Sequence, residues 1–133
     1  MSDEAGNSVR AVCLCGALRV TATLPTLWVA HCHCTYCRRA HGAAVVTWAG
    51  FRSEQVAIDG HEPRWHVSSP GARRGFCGTC GSPMLFEAER WPGEMHVARA
   101  LIVDPLDREP MAHVFYDDHV PWLAITDALP KKG

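Results

Sequence analysis

Ala30-His31-Cys32-His33-Cys34-Thr35-Tyr36-Cys37-Arg38-Arg39 places three cysteines within six residues. Cys32 and Cys34 are two apart, so on an extended strand both sulfurs leave from one face. Thr35 is a good helix N-cap residue. The spacing predicts a strand over 27–34 that runs into a short helix over 35–41, closed by Gly42 as the C′ residue. A strand that delivers two thiols, followed by a turn that returns a third, is a three-point claw. Three soft ligands with no fourth beside them make the pattern of an open zinc site rather than a closed one. His33 alternates away from Cys32 and Cys34 and reads as a packed or hydrogen-bonded core histidine.

Outward from the claw the chain reads as short strands. Before it, strands are expected over 9–14 and 17–24; Leu18, Val20, Ala22 and Leu24 alternate with Ala17, Arg19, Thr21 and Thr23, and Pro25 stops the run. After it, the apolar run 43–50 reads as a buried strand. Short strands follow over 56–58 and 64–67, then a loop over 68–72. Met84–Ala88 and a long stretch over 94–103 read as strands, with a turn at Trp91-Pro92-Gly93 between them. Asp104-Pro105 predicts a single helical turn, and 113–116 a last strand. Residues 117–130 show little periodicity and are expected to pack through Trp122 and Ile125. The picture is mainly β with little helix, and there is no repeat and no linker. Residues 1–8 read as a disordered lead-in, 9–130 as one zinc-binding domain, and 131–133 as a C-terminal tail.

The other four of the seven cysteines form Cys13-Leu14-Cys15-Gly16 and Cys77-Gly78-Thr79-Cys80-Gly81. In a Cys-x-x-Cys-Gly turn the backbone N–H groups can point at the first sulfur, and Gly78 and Gly81 supply the backbone freedom. Two such ligands need two more, which Cys13 and Cys15 provide from one face of a strand. Cys13, Cys15, Cys77 and Cys80 then complete a four-sulfur structural zinc site whose ligation contributes to folding. That division leaves Cys32, Cys34 and Cys37 as a second, open site. Cys37 near a helix start and beside Arg38 and Arg39 is in surroundings that lower a thiol pKa.

Other readings stand beside these. The cysteines could be ordinary thiols or a disulfide set, and Cys77-x-x-Cys80 a redox pair, although no βαβ pattern accompanies it. His31, His33 or a distant histidine could close the claw into a second structural site. Arg38 and Arg39 could grip a carboxylate or form an exposed helix face.

A formal net charge of −1 and 20% charged residues point to no dedicated nucleic-acid partner. No apolar run approaches a membrane span. The polar opening Met1–Ser8 lacks an apolar signal core, so the expected location is the reducing cytoplasm, where cysteines persist as thiols or metal ligands.

The chain resembles the glutathione-dependent formaldehyde-activating enzyme family, also called the centromere protein V family. The resemblance rests on Cys13-Leu-Cys15-Gly16, on Cys32-His-Cys34-Thr-Tyr-Cys37-Arg38-Arg39, and on Ser68-Ser-Pro70 leading to Phe76-Cys77-Gly-Thr-Cys80-Gly81-Ser82. It continues through His113-Val-Phe115 and Pro121-Trp122 to Asp127-Ala-Leu-Pro130, where Ala128 replaces the family's usual glycine. The resemblance implies the β-tent fold, several short antiparallel sheets around zinc. It implies two zinc ions per chain, a structural one at Cys13, Cys15, Cys77 and Cys80 and a catalytic one at Cys32, Cys34 and Cys37. The implied activity is that of a carbon–sulfur lyase or synthase, joining a thiol such as glutathione to a small aldehyde such as formaldehyde to give S-hydroxymethyl glutathione, or the reverse. Arg38 and Arg39 are candidates for placing the thiol's carboxylate. The partners expected are therefore a small-molecule thiol and aldehyde, with no nucleic acid and no membrane. A non-catalytic zinc module for protein binding and a redox-sensing zinc switch are the alternative functions.

Overall fold

The computed structural model describes residues 7–133; the first six residues, which carry most of the expected lead-in, lie outside it. Among the described residues ten strands form two sheets. β1 (Ser8–Val12), β2 (Arg19–Thr23) and β5 (Val56–Ile58) make a three-stranded antiparallel sheet in the order β1-β2-β5. The larger sheet has seven strands in the order β10-β3-β4-β9-β8-β7-β6. Its members are β3 (Trp28–Cys32), β4 (Val46–Arg52), β6 (Arg64–Ser69), β7 (Ala72–Phe76), β8 (Pro83–Ala88), β9 (Glu94–Ala98) and β10 (His113–Val114). All its neighbours are antiparallel except β10, which lies parallel to β3. The one α-helix among the described residues, α1, spans Thr35–His41 and ends at Gly42 with φ 60°, the left-handed geometry that glycine adopts freely.

Side-chain alternation gives the larger sheet two different faces. One carries the cross-strand row Val29, Ala49, Val97, Leu85 and Gly75. With Val9, Ala11, Leu18 and Val20 it forms the main core, which also encloses Cys13 and Cys77. The other face carries the row Trp28, Gly50, His96, Phe86 and Arg74 in direct register across five strands. Cys32, Cys37, Val46, Trp48 and Ala98 pack on this second side. Each cysteine cluster therefore has its own core.

Several boundaries differ from the sequence reading. Ser8 already pairs with Thr23, so the lead-in stops short of it. The residues expected as a tail are tied in: Lys131 bridges His113, and Lys132 bonds to His113 and Tyr116 through the backbone. The expected loop over 68–72 is a tight Pro70-Gly71 turn between β6 and β7, and β7, with its polar Ala-Arg-Arg-Gly-Phe sequence, was not expected at all. The long strand over 94–103 ends at Ala98 in a 3-10 turn over 99–101. No helical turn forms at 104–107; Asp104 instead accepts hydrogen bonds from the Arg10 guanidinium and backbone N–H. Trp122 is 72% exposed rather than packed, while Ile125 is half-buried.

Candidate metal centres and the claw cavity

The chain folds its seven cysteines into the two groups that spacing predicts, Cys13, Cys15, Cys77, Cys80 and Cys32, Cys34, Cys37, with the sulfurs of each group within 4.8 Å of one another. In the first group Cys13–Cys15 and Cys15–Cys77 sulfurs are both 3.7 Å apart. A tetrahedral ion with metal–sulfur bonds of about 2.3 Å needs sulfur separations of about 3.8 Å, so the donor set fits such an ion.

The cysteines of this group come from turns at both ends. Cys13 and Cys15 do not share a strand face: β1 ends at Val12, and a turn through Gly16 (φ 86°) brings Cys15 round. Leu18 and Ala17 N–H groups donate to Cys13 and Cys15 Sγ at 3.2 and 3.5 Å. At the other end Thr79 and Cys80 N–H groups both donate to Cys77 Sγ at 3.4 Å, and Gly81 takes φ 85°. These peptide donors favour the thiolate form. Cys77 is held below the ordinary thiol range, first by the Cys80 N–H, and Cys80 is pulled down to about 5, first by the Ser82 hydroxyl. At Gly78 the constraint is space rather than φ: a Cβ there would lie 2.8 Å from Cδ of the exposed Arg64 side chain, which would have to move aside.

The claw forms where β3 meets α1. Its helix cap is Cys34, not Thr35: Cys34 Sγ accepts the Cys37 N–H at 3.2 Å, so a cysteine sulfur does the work of a capping oxygen. Cys32 and Cys37 are buried and Cys34 is half-buried. Trp48 Nε1 donates to Cys37 Sγ at 3.5 Å, and the Arg74 guanidinium stands 3.7 Å away. Cys37 is pushed strongly toward its thiolate, by the Cys32 and Cys34 thiols first and then by Trp48 and Arg74.

No histidine closes the claw among the described residues, whose metal-capable grouping there holds the three sulfurs alone. His33 points to the opposite side of β3, as alternation predicts, and is 1% exposed. Its Nε2 lies 2.8 Å from His113 Nδ1, and His113 Nε2 lies 3.0 Å from an Asp127 carboxylate oxygen. Because a carboxylate only accepts, His113 carries its proton on Nε2 and accepts from His33 on Nδ1. His31 bonds Thr47 Oγ1 at 2.7 Å. His31, His113 and Asp127 also lie close enough to hold an ion, but both ring nitrogens of His113 are already partnered.

The claw opens on a cavity of about 920 Å³. Trp28, Trp48, Phe86, Trp91 and Phe115 give it aromatic wall, and the charged side chains that line it are Arg74, Arg90, Lys132, Glu89 and Asp118. Edge-on contacts chain the rings: Trp28 to His96 at 4.6 Å, and Phe86 to Trp91 at 6.0 Å. Arg38 and Arg39 do not line it. Arg38 donates to the Asp118 carbonyl at 3.0 Å and Arg39 is exposed, so the expectation that they grip a carboxylate gains nothing from their placement. Arg74 is the residue that sequence reasoning missed. Its one signal was the pair Arg73-Arg74 ahead of Phe76-Cys77: on a strand, adjacent arginines face opposite ways, so one of them must turn inward.

The profile of the family described as glutathione-dependent formaldehyde-activating enzyme matches residues 8–118. The chain belongs to that family. Among solved structures, a Rhodobacter sphaeroides protein determined as a Northeast Structural Genomics target matches with a TM-score of 0.61. It is 22% identical, and the match covers 74% of this chain and 91% of that one. At that identity the likeness speaks for the mainly β fold, which the two share. No curated protein matches. No helix among the described residues is long and apolar enough to cross a membrane.

Proposed function

We propose that this family member is a zinc-dependent carbon–sulfur lyase or synthase that joins a small thiol, glutathione or a relative of it, to a small aldehyde such as formaldehyde in the cytoplasm. The observation that carries the reading is the claw itself: three sulfurs with no fourth protein ligand among the described residues, facing a cavity large enough for a peptide-sized thiol. Cys13, Cys15, Cys77 and Cys80 are the ligands of a structural zinc, and Cys32, Cys34 and Cys37 those of a second zinc. At the second position zinc supplies a positive centre that favours the thiolate form of a bound thiol and polarises a carbonyl.

The chain's own groups supply the rest. Trp48 and Arg74 fix Cys37 by N–H···S contacts, which keeps the open side turned toward the cavity. The aromatic side chains make part of the cavity wall apolar, which reduces the water competing for the aldehyde as its hydrate. Arg90 and Lys132, which line the cavity, meet the thiol's carboxylate in this reading in place of Arg38 and Arg39. In the forward direction one sulfur–carbon bond forms, the carbonyl π bond breaks, and the thiol's proton ends on the former carbonyl oxygen. The reverse reaction returns thiol and aldehyde.

The test is metal content of the wild type and Cys34→Ser, each with and without glutathione. Two zinc ions per chain are expected in the wild type, with only one of them weakened by the substitution or perturbed by the thiol. A claw metal indifferent to every thiol tried would sink the reading.

A further inference from the structure

Arg74 is 9% exposed, and arginine rarely lies so deep without a carboxylate partner. It has none: the ion pairs among the described residues are Arg10–Asp104, Arg73–Glu87, His96–Glu94 and His113–Asp127. What it meets is sulfur and an aromatic face. Nη1 and Nη2 are 3.8 and 3.7 Å from Cys37 Sγ, and Cζ stands 4.8 Å from the Phe86 ring centre. Its Nε is the one buried side-chain polar atom without a hydrogen-bond partner among the described residues. Strand register enforces this, since Arg74 falls opposite Phe86 on the claw side of the sheet while its neighbour Arg73 pairs with Glu87.

The two cysteine clusters are balanced by different means. Around Cys13, Cys15 and Cys77 the donors are peptide N–H groups, which carry only partial charge. At the claw one peptide N–H serves Cys34, one indole N–H serves Cys37, and Arg74 adds a full unit charge. Three thiolates around a divalent ion leave one negative charge, and a guanidinium in contact cancels it. An anion entering the open side then meets a neutral cluster rather than a negative one. In partly buried surroundings a unit charge at this range shifts such an equilibrium by an order of magnitude or more.

We infer that Arg74 is a positioning residue of the claw, whose charge selects an anionic soft ligand, a thiolate, over a neutral one at the open side of Cys32, Cys34 and Cys37. The ligand's identity rests on the carbon–sulfur reading; the effect of Arg74 on metal retention does not.

The experiment uses the full chain loaded with cobalt(II), whose sulfur charge-transfer absorption reports each added thiolate. Wild type, Arg74→Met and Arg74→Lys are titrated with 2-mercaptoethanol and, separately, with imidazole as a neutral ligand. Arg74→Met should bind the thiol about tenfold more weakly with imidazole affinity little changed, and Arg74→Lys should recover most of the loss. Equal losses for both ligands, or no loss, overturn the inference. A second arm follows metal release to a chelator with no thiol present. Arg74→Met should lose one metal at roughly tenfold lower chelator while the other is held as in wild type; unchanged release of both overturns the inference. Retention of that other metal reports folding, and Arg74→Gln replaces Arg74→Met if the latter does not fold. If the wild-type claw takes up no thiol at all, the carbon–sulfur reading fails, and the chelator arm alone decides on Arg74.

Discussion

Gly50 stands directly opposite Trp28 in the β3–β4 ladder, and a Cβ on Gly50 would lie 2.2 Å from Trp28 Cε2. The missing side chain is what lets the Trp28 indole lie flat across the sheet. There it contacts His96 edge-on, donates from Nε1 to Glu94 at 3.2 Å and forms part of the cavity wall. Gly50→Ala must push the indole aside in a packed region, which costs about 1–3 kcal/mol. A lowered urea midpoint together with a shifted tryptophan emission is expected. Wild-type stability in the variant would mean that the indole has room to move.

The two cysteine clusters should differ in what their loss does to the chain. The four-sulfur group ties the turn after β1 to the turn before β8 through the main core. Cys80→Ser should therefore lose one zinc and fold poorly, since structural ligation is folding free energy. Cys34→Ser should hold the other zinc more weakly and stay folded, because β3, β4 and α1 keep their own packing. Near-UV circular dichroism with zinc content checks both. A well-folded, fully active Cys80→Ser would refute the structural assignment.

The division of the cysteines and the helix over 35–41 were legible because both depend on local spacing. So was the inward turn of His33, which follows from strand alternation. The row Trp28, Gly50, His96, Phe86 and Arg74 was not legible, because it draws on five strands whose pairing no local pattern specifies. β7 escaped notice for a related reason. Arg73 and Arg74 make it look like a polar connection, whereas Arg74 is buried against Phe86 and Arg73 lies over Trp65 at 3.9 Å. Long aliphatic stems let arginine serve as strand core while composition reads it as surface. Trp122 shows the converse, a large aromatic that spacing alone cannot place.

His113 joins the C-terminal segment to the strand that carries the claw. Its backbone accepts from Lys132 N–H and donates to the Pro130 carbonyl, and its ring links His33 to Asp127. His113→Ala leaves the buried His33 N–H without an acceptor, which costs about 1–3 kcal/mol. Asp127→Asn keeps an acceptor for His113 on a side chain that is 43% exposed, so its effect should stay below about 1 kcal/mol. Urea unfolding ranks the two. Amide exchange should also quicken at Tyr116 and Lys132 in His113→Ala; equal stability losses in the two variants would contradict a buried link.

His41 supplies a pH dependence. Its ring stands edge-on to Trp48 at 5.3 Å, and burial first, then the Arg74 charge, lowers its pKa from 6.5 to about 4. Above pH 6.5 the ring is neutral both folded and unfolded, so it contributes no slope. Between 6.5 and about 4 the unfolded chain binds a proton there that the folded chain refuses, and stability falls as pH falls. Below about 4 both forms are charged and the slope ends. Acid also protonates the cysteine clusters, but it does so in a His41→Phe variant as well. The difference in stability between wild type and His41→Phe should therefore be constant from pH 8 to about 6.5 and shift against the wild type from there to about 4. Urea midpoints across that range measure it, and a difference independent of pH would show that the folded chain admits the proton on His41 as readily as the unfolded one.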